Sequence, residues 1–386
     1  MKIAIIGTAY PMRGAMAQLN GILANYLSID NDVEIFSFKR QYPKLLFPGK
    51  TQEDSSGVDI VKKNIPNQAI IDSIDPLNWN YSAKKILSIK PDILILRFWI
   101  PFFAPVFYYI CRYVKKKSDA KVLFICDNVI PHEKRIGDNF LTKLIFKIGD
   151  YFIIHSKSVE EDLKKFIKGK PYKFSPHPIY NIFGDGVQKT KAKEYIFNEY
   201  NIDLRNEKVI LFFGYIRKYK GLNFLINAMP EILKEVKLKL LIVGEFYEDE
   251  SLTRTQIQNS NLEKDVFIIS DYVPNEKVKY FFSASDALVL PYIDATQSGI
   301  TQIALFYDKP VIATDVGGLS EVIKNNEMGF IIEPKNSNAI ADAVIKYYRD
   351  NLEEKFANAV KEEKKNYTWE QFIKNIEELV QQKSNY

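Results

Sequence analysis

The sequence predicts an α/β protein of two doubly wound parallel-sheet domains, Rossmann-like in build and facing each other across a cleft. Three observations predict it. Short, continuous apolar runs recur along the chain with helical patterns between them. The same alternation restarts after a Pro- and Gly-containing stretch near 176–205, which reads as a linker. The length, 386 residues, exceeds what one hydrophobic core usually serves.

The elements follow in order. Lys2 to Gly7 is a buried strand by its Ile/Ala run, and the loop "TAYPMRGAMA" leads from it into the helix "QLNGILANYL". "DVEIFSF", "PDILIL", "AKVLFIC" and "YFIIHS" are further strands, with helical patterns such as "NYSAKKILSI" and "SVEEDLKKFI" between them. After the linker, "KVILFFG", "LKLLIVG", "DVFIIS", "ALVLPY", "PVIAT" and "GFIIEP" repeat the strand pattern, with "GLNFLINAMPEIL" a helix among them. "YTWEQFIKNIEELVQQ" closes the chain as an amphipathic helix. The expected domains are 1–185, joined by the closing helix at about 367–386, and 186–366. Sheets of this kind bind ligands at the carboxyl ends of their strands, so two facing domains suit a large two-part substrate.

Composition narrows the function classes. A net charge of +5, without a clustered basic stripe, disfavours nucleic acid. Cys111 and Cys126 both lie in apolar sequence and read as reduced, buried thiols rather than a disulfide or metal site. The start "MKIAIIGTAYP" turns polar too soon for a secretory leader. No run reaches the ~18 apolar residues of a spanning helix. The cytoplasm is the expected compartment. The segment "RFWIPFFAPVFYYICRYVKKK", Arg97 to Lys117, reads first as a core helix with a basic end and second as a membrane-surface element, which would place the protein at the inner face of the cell membrane.

Several turns carry candidate chemistry. In "FFGYIRKYKGLNFL" a strand ends at Gly214, a loop brings Arg217, Lys218 and Lys220, and a helix follows; cations there can grip an anion, or merely line a solvated turn. In "DATQSGITQIA", Thr296, Gln297, Ser298 and Gly299 open directly into an apolar helix. Its first amides and partial positive charge suit a phosphate, although an ordinary Ser N-cap reads the same way. Gly317 and Gly318 precede a helix carrying Glu321 and either expose backbone donors or make a tight turn. The loop with Gly7 and Gly14 does not satisfy G-x-G-x-x-G, but its length lets it reach across a cleft. "CDNVIPHEKR" places Asp127, Asn128, His132, Glu133 and Arg135 at a sheet edge, where a lone His is structural more often than catalytic.

Together, "FFGYIRKYKGLNFLINAM", "LLIVGE", "SDYVPNEKVKYFFSASDALVLPY" and "KPVIATDVGGLSEVI", in this order and spacing, resemble glycosyltransferase family 4 over nearly the whole chain. That resemblance implies a GT-B fold and retaining transfer of a sugar from a nucleoside diphosphate donor, without metal or other cofactor. The implied acceptor is a glycan or lipid-linked molecule in cell-surface polysaccharide synthesis. It implies Lys220 and Arg217 at the donor diphosphate, although the position where the family usually carries the Arg is Tyr215. It implies donor contacts at Gly14, Gly214, Gly244, Glu245, Tyr272, Val273, Thr296, Gln297, Ser298, Gly299, Ile300, Gly317, Gly318 and Glu321. On the acceptor side it implies Arg97, Asn128 and Glu133, with Asp127 and His132 catalytic. The family's frequent pair of glutamates falls here on Ala295 and Ile303, as in a variant where "ATQSG" replaces the first. A catalytically silent relative acting as a binding or scaffold protein is the alternative. A periplasmic sugar-binding protein lacks the expected export signal, and a nicotinamide oxidoreductase lacks its glycine fingerprint.

Overall fold

The computed structural model describes residues 1–43, 51–53, 60–131, 135–295 and 298–381. The chain divides into two compact units. One is Met1–His177 with Trp369–Tyr386, and the other is Pro178–Thr368.

Among the described residues the first unit holds seven strands: β1 (Lys2–Ile6), β2 (Asp32–Arg40), β3 (Asn67–Asp72), β4 (Ile93–Phe98), β5 (Lys121–Cys126), β6 (Tyr151–Ile154) and β7 (Tyr172–Phe174). They pair in parallel in the order β3-β2-β1-β4-β5-β6-β7. Strands β4, β5 and β6 are almost wholly buried, as expected when helices cover both faces. The Arg97–Lys117 segment splits. Arg97 and Phe98 finish β4, Pro101–Phe103 make a short 3₁₀ turn, and Ala104–Lys115 form a helix with Val106, Phe107, Ile110, Cys111 and Val114 in the core. Burial raises the pKa of both cysteine thiols, which keeps them protonated and inert.

The closing helix, Trp369–Gln381, completes this unit. Trp369 stacks on Tyr26 at 5.7 Å between ring centres, and Asn375 Nδ2 donates to Ser175 Oγ at 2.9 Å. Its Trp369, Phe372, Ile376 and Leu379 side chains are buried.

The second unit carries, among the described residues, β8 (Lys208–Phe213), β9 (Leu238–Val243), β10 (Val266–Ile269), β11 (Ala287–Leu290), β12 (Val311–Thr314) and β13 (Gly329–Ile332). These too are parallel, in the order β10-β9-β8-β11-β12-β13. The stretch 176–205 is not uniformly a linker: Lys189–Tyr200 is a helix that buries Ala192 and Ile196. A helix with so few apolar residues is stabilised by the surface it covers rather than by its own periodicity.

Candidate active site

The second sheet reverses its direction of growth between β8 and β11, so the loops leaving these neighbouring strands open side by side. Gly214 begins the first loop at φ +101°, a conformation that L side chains rarely adopt. A Cβ on Gly214 would lie 3.0 Å from Ile300 Cδ1 and 3.1 Å from Lys220 Nζ. The ammonium, Gly214 and the first turn of the helix Gly299–Phe306 therefore meet at one point.

Backbone contacts fix this meeting. Lys218–Lys220 form a 3₁₀ turn, with Lys220 N donating to Arg217 O at 2.9 Å. Ile293 N donates to Tyr219 O at 2.7 Å, and a Cβ on Gly221 would come within 2.0 Å of Pro291 O. The turn after β8 is thus held against the exit of β11.

Lys220 is 7% exposed. Its Nζ sits 5.3 Å from the centre of the Tyr292 ring, and the Tyr292 hydroxyl lies 3.3 Å from the Ser298 hydroxyl. Burial pulls the Lys220 pKa below the ordinary lysine value, with Tyr219 opposing and Arg217 reinforcing that shift. Among the described residues no carboxylate offsets the charge. Burial also pushes the Tyr292 phenol up to about 12, against the Ser298 hydrogen bond, so it remains a proton donor at neutral pH. Ser298 occupies the N-cap of its helix, but its side chain makes no capping bond. The arrangement combines a buried cation that no carboxylate of the described residues offsets, two hydroxyls and a helix start that its own cap residue leaves unserved. Such a set accepts an anion of phosphate type.

The other residues expected at the donor lie on the loops that leave β8, β9, β10 and β12. Gly244 touches the first loop backbone to backbone: a Cβ there would lie 2.1 Å from Gly214 O. Glu245 is buried and its carbonyl accepts from Ile216 N at 2.9 Å. Arg217 lays its guanidinium carbon 4.8 Å from the Tyr247 ring centre. Tyr272 and buried Val273 lie between β10 and the helix Asn275–Ala284. Gly317, Gly318 and Glu321 occupy the loop and four-residue helix after β12, the strand beside β11. Ala295 and Ile303 are both buried. Thr296, Gln297, His132 and Glu133 lie outside the described residues. Tyr292 was hidden in the sequence as the tail of an apolar strand run; its hydroxyl, two residues beyond the end of β11, is the signal that marks it.

In the first unit Gly14 is the N-cap of the helix Ala15–Leu27, at φ +100° with open space beside it. Arg97, expected at the acceptor, is 1% exposed and forms an ion pair with Asp127, Nη1 to Oδ1 at 2.6 Å. Burial raises the Asp127 pKa although Arg97 pulls the other way. Asn128 follows on the same loop. Sequence reasoning missed His155, which ends the β6 run and brings Nε2 to 3.8 Å from Asp127 Oδ1.

Residues 193–367 match the family model described as glycosyl transferases group 1. That match lies within the second unit and covers less than half of the chain. A glycosyltransferase of Methanocaldococcus jannaschii is 32% identical over 171 residues, 44% of this chain and 43% of that protein. The N-acetyl-alpha-D-glucosaminyl L-malate synthase of Bacillus anthracis is 26% identical over 45% of this chain and 44% of its own. The chain spans from 43% to 61% of the length of such curated relatives. Among solved structures, a glycosyltransferase from Rickettsia africae is 21% identical, covers 99% of this chain and 100% of that one, and superposes with a TM-score of 0.74. An Anabaena protein solved in complex with UDP and glucose is 15% identical, covers 98% and 99%, and gives 0.72. These likenesses establish the fold of the two parallel-sheet units as GT-B.

Proposed function

We propose that this protein transfers a sugar from a nucleoside diphosphate donor to a glycan or lipid-linked acceptor, with retention at the anomeric carbon and without a metal. The reading is carried by the convergence of Lys220, Gly214 and the Ser298–Gly299 helix start at the switch point of the second sheet. As the bond between the anomeric carbon and the diphosphate oxygen breaks, negative charge grows on the diphosphate. Lys220, the Ser298 hydroxyl and the helix start hold that charge more strongly as it grows, and only this increment speeds the reaction. Arg217, on the same loop, adds a second positive charge. The acceptor oxygen bonds to the anomeric carbon, and its proton passes to the leaving phosphate. Asp127 in the first unit orients a hydroxyl, and Asn128 follows it on the same loop.

The group 1 match and neighbours that bind UDP or ADP support a nucleotide-sugar donor. Relatives named for mannosyl transfer to phosphatidyl-myo-inositol and for teichuronic acid biosynthesis support a glycan or lipid-linked product. No helix of the described residues is long and apolar enough to cross a membrane. The second reading, a silent binding protein, draws on buried, apolar Ala295 and Ile303 at the two positions of the family's glutamates. Thermal unfolding against a panel of UDP, GDP, ADP and their sugars tests both. Enzyme and binder alike are stabilised by one of them, by about 2.7 kcal/mol at a hundred times the dissociation constant. Only the enzyme then moves radiolabel from the sugar nucleotide to an acceptor or to water. Activity that persists in EDTA agrees with metal-free transfer; no stabilisation by any nucleotide refutes the reading.

A further inference from the structure

Beyond β8 and β9 the two loops stay paired for one more step. Gly214 N donates to Val243 O at 2.9 Å. Past the close approach of Gly244 to Gly214 O, Ile216 N donates to Glu245 O at 2.9 Å and Tyr247 N to Ile216 O at 3.0 Å. Ile216 and Phe246 thus form an isolated parallel bridge. Side chains alternate across an extended backbone. Ile216 is fully buried and Phe246 packs on the same core, so Tyr215, Arg217 and Tyr247 point the other way. Arg217 comes to lie across from Tyr247, as cross-strand pairs do. Its guanidinium carbon lies 4.8 Å from the Tyr247 ring centre, and the Tyr215 ring packs on Tyr247 at 4.8 Å between centres.

This placement carries an electrostatic cost. A guanidinium is always charged, and that of Arg217 reinforces the lowered pKa of Lys220 on the same loop. Among the described residues Arg217 has the ring as its partner and no carboxylate. Two cations gathered on one turn repel each other, and a dianion between them removes that repulsion. An aromatic face suits such an arginine. The planar group stacks on the ring without spending its five N–H donors, which stay available to phosphate oxygens. A carboxylate in place of the ring would hold the side chain as well but cancel its charge. The other charged or titratable groups around the pair are Lys218 and Tyr219 on the same loop, Glu245 and Glu248 on the loop after β9, and Tyr292 beyond β11.

We propose that Tyr247 is a positioning residue of the donor site: its ring, packed by Tyr215, holds the Arg217 guanidinium within electrostatic reach of Lys220, so that both cations meet one nucleoside diphosphate. The bridge between Ile216 and Phe246 sets the register that puts the ring opposite the arginine. This role deepens the transferase reading and rests on it.

Titration calorimetry measures the dissociation constant of UDP, GDP or ADP, whichever the stabilisation panel selects, for wild type, R217M, Y247L, Y247F, Y247W and the double variant Y247L/R217M. R217M weakens binding about tenfold to a hundredfold, the worth of one charge-assisted hydrogen bond. Y247L weakens it about threefold to thirtyfold, the range of a cation–π contact. Y247F and Y247W bring back a ring and with it the affinity. The double variant binds no worse than R217M, because the ring acts through the guanidinium; losses that simply add overturn the proposal. The pH profile separates positioning from mere packing. Affinity falls as pH rises through the free-state pKa of Lys220, which Arg217 holds down, so in R217M the fall starts at higher pH. Y247L moves the fall in the same direction. A Y247L profile that starts to fall where wild type does makes the ring structural and overturns the proposal. If Y247L does not fold, R217K takes its place: it keeps the charge but lays no planar group on the ring, and an R217K protein that binds as wild type does overturns the proposal. Failure of every nucleotide to stabilise the wild type overturns the parent reading and this one with it. Nucleotide binding that R217M weakens and Y247L leaves intact overturns this one alone.

Discussion

Replacing Lys220 by Met separates a cation kept for a ligand from one kept for folding. Methionine retains much of the unbranched stem, which is 7% exposed as lysine, and deletes the charge. In the free protein that charge is desolvated and no carboxylate of the described residues offsets it, so its removal leaves stability unchanged or raises it. In the complex the variant loses one charge-assisted hydrogen bond, about 1.5–3 kcal/mol, and the dissociation constant for nucleoside diphosphate rises about tenfold to a hundredfold. The two effects have opposite signs, and thermal unfolding with and without nucleotide reads both. At a ligand concentration that stabilises wild type by about 2.7 kcal/mol, a tenfold weaker variant gains only about 1.4 kcal/mol. A K220M protein that melts well below wild type yet keeps its nucleotide-induced gain refutes the reasoning, because Lys220 would then be structural.

Other outcomes follow from the same geometry. Anion binding favours the ammonium form of Lys220, so nucleotide affinity is flat at low pH and falls as pH rises through the free-state pKa; titration calorimetry finds that fall starting below the ordinary lysine value of 10.5. G221A forces a Cβ to 2.0 Å from Pro291 O at φ +66°, and loses at least about 1–3 kcal/mol in chemical denaturation. Y292F removes the hydroxyl facing Ser298 and weakens nucleotide binding less than K220M does, by a few-fold in the same calorimetry.

Much of this was legible in the sequence because parallel strands buried on both faces write themselves as unbroken apolar runs. Strands β1, β5, β8 and β11 carry such runs, and β4 and β9 are interrupted only by Arg97 and Lys239. Strands β3 and β7 were not read, since "NQAIID" and "YKF" mix polar residues at positions that stay partly exposed at the sheet edges. Lys220 and Ser298 were legible because glycine beside a cation or hydroxyl, between a strand and a helix, is a local pattern. His155 was not, because its meaning comes from Asp127 on the neighbouring strand, 28 residues earlier, and adjacency of β5 and β6 is a property of the sheet. The helix Lys189–Tyr200 escaped notice for a similar reason: its few buried side chains matter only once something covers them.

The return of the chain to the first unit also governs how the protein is born. Residues 178–368 form an uninterrupted piece that can settle as soon as the ribosome releases it, whereas the first unit waits for Trp369, Phe372, Ile376 and Leu379. At about 5–20 residues per second, that wait is roughly ten to forty seconds. During it, the apolar surface that the closing helix will seal is open to chaperones, so early translational arrest should leave the amino-terminal half more prone to clump than the segment that follows it.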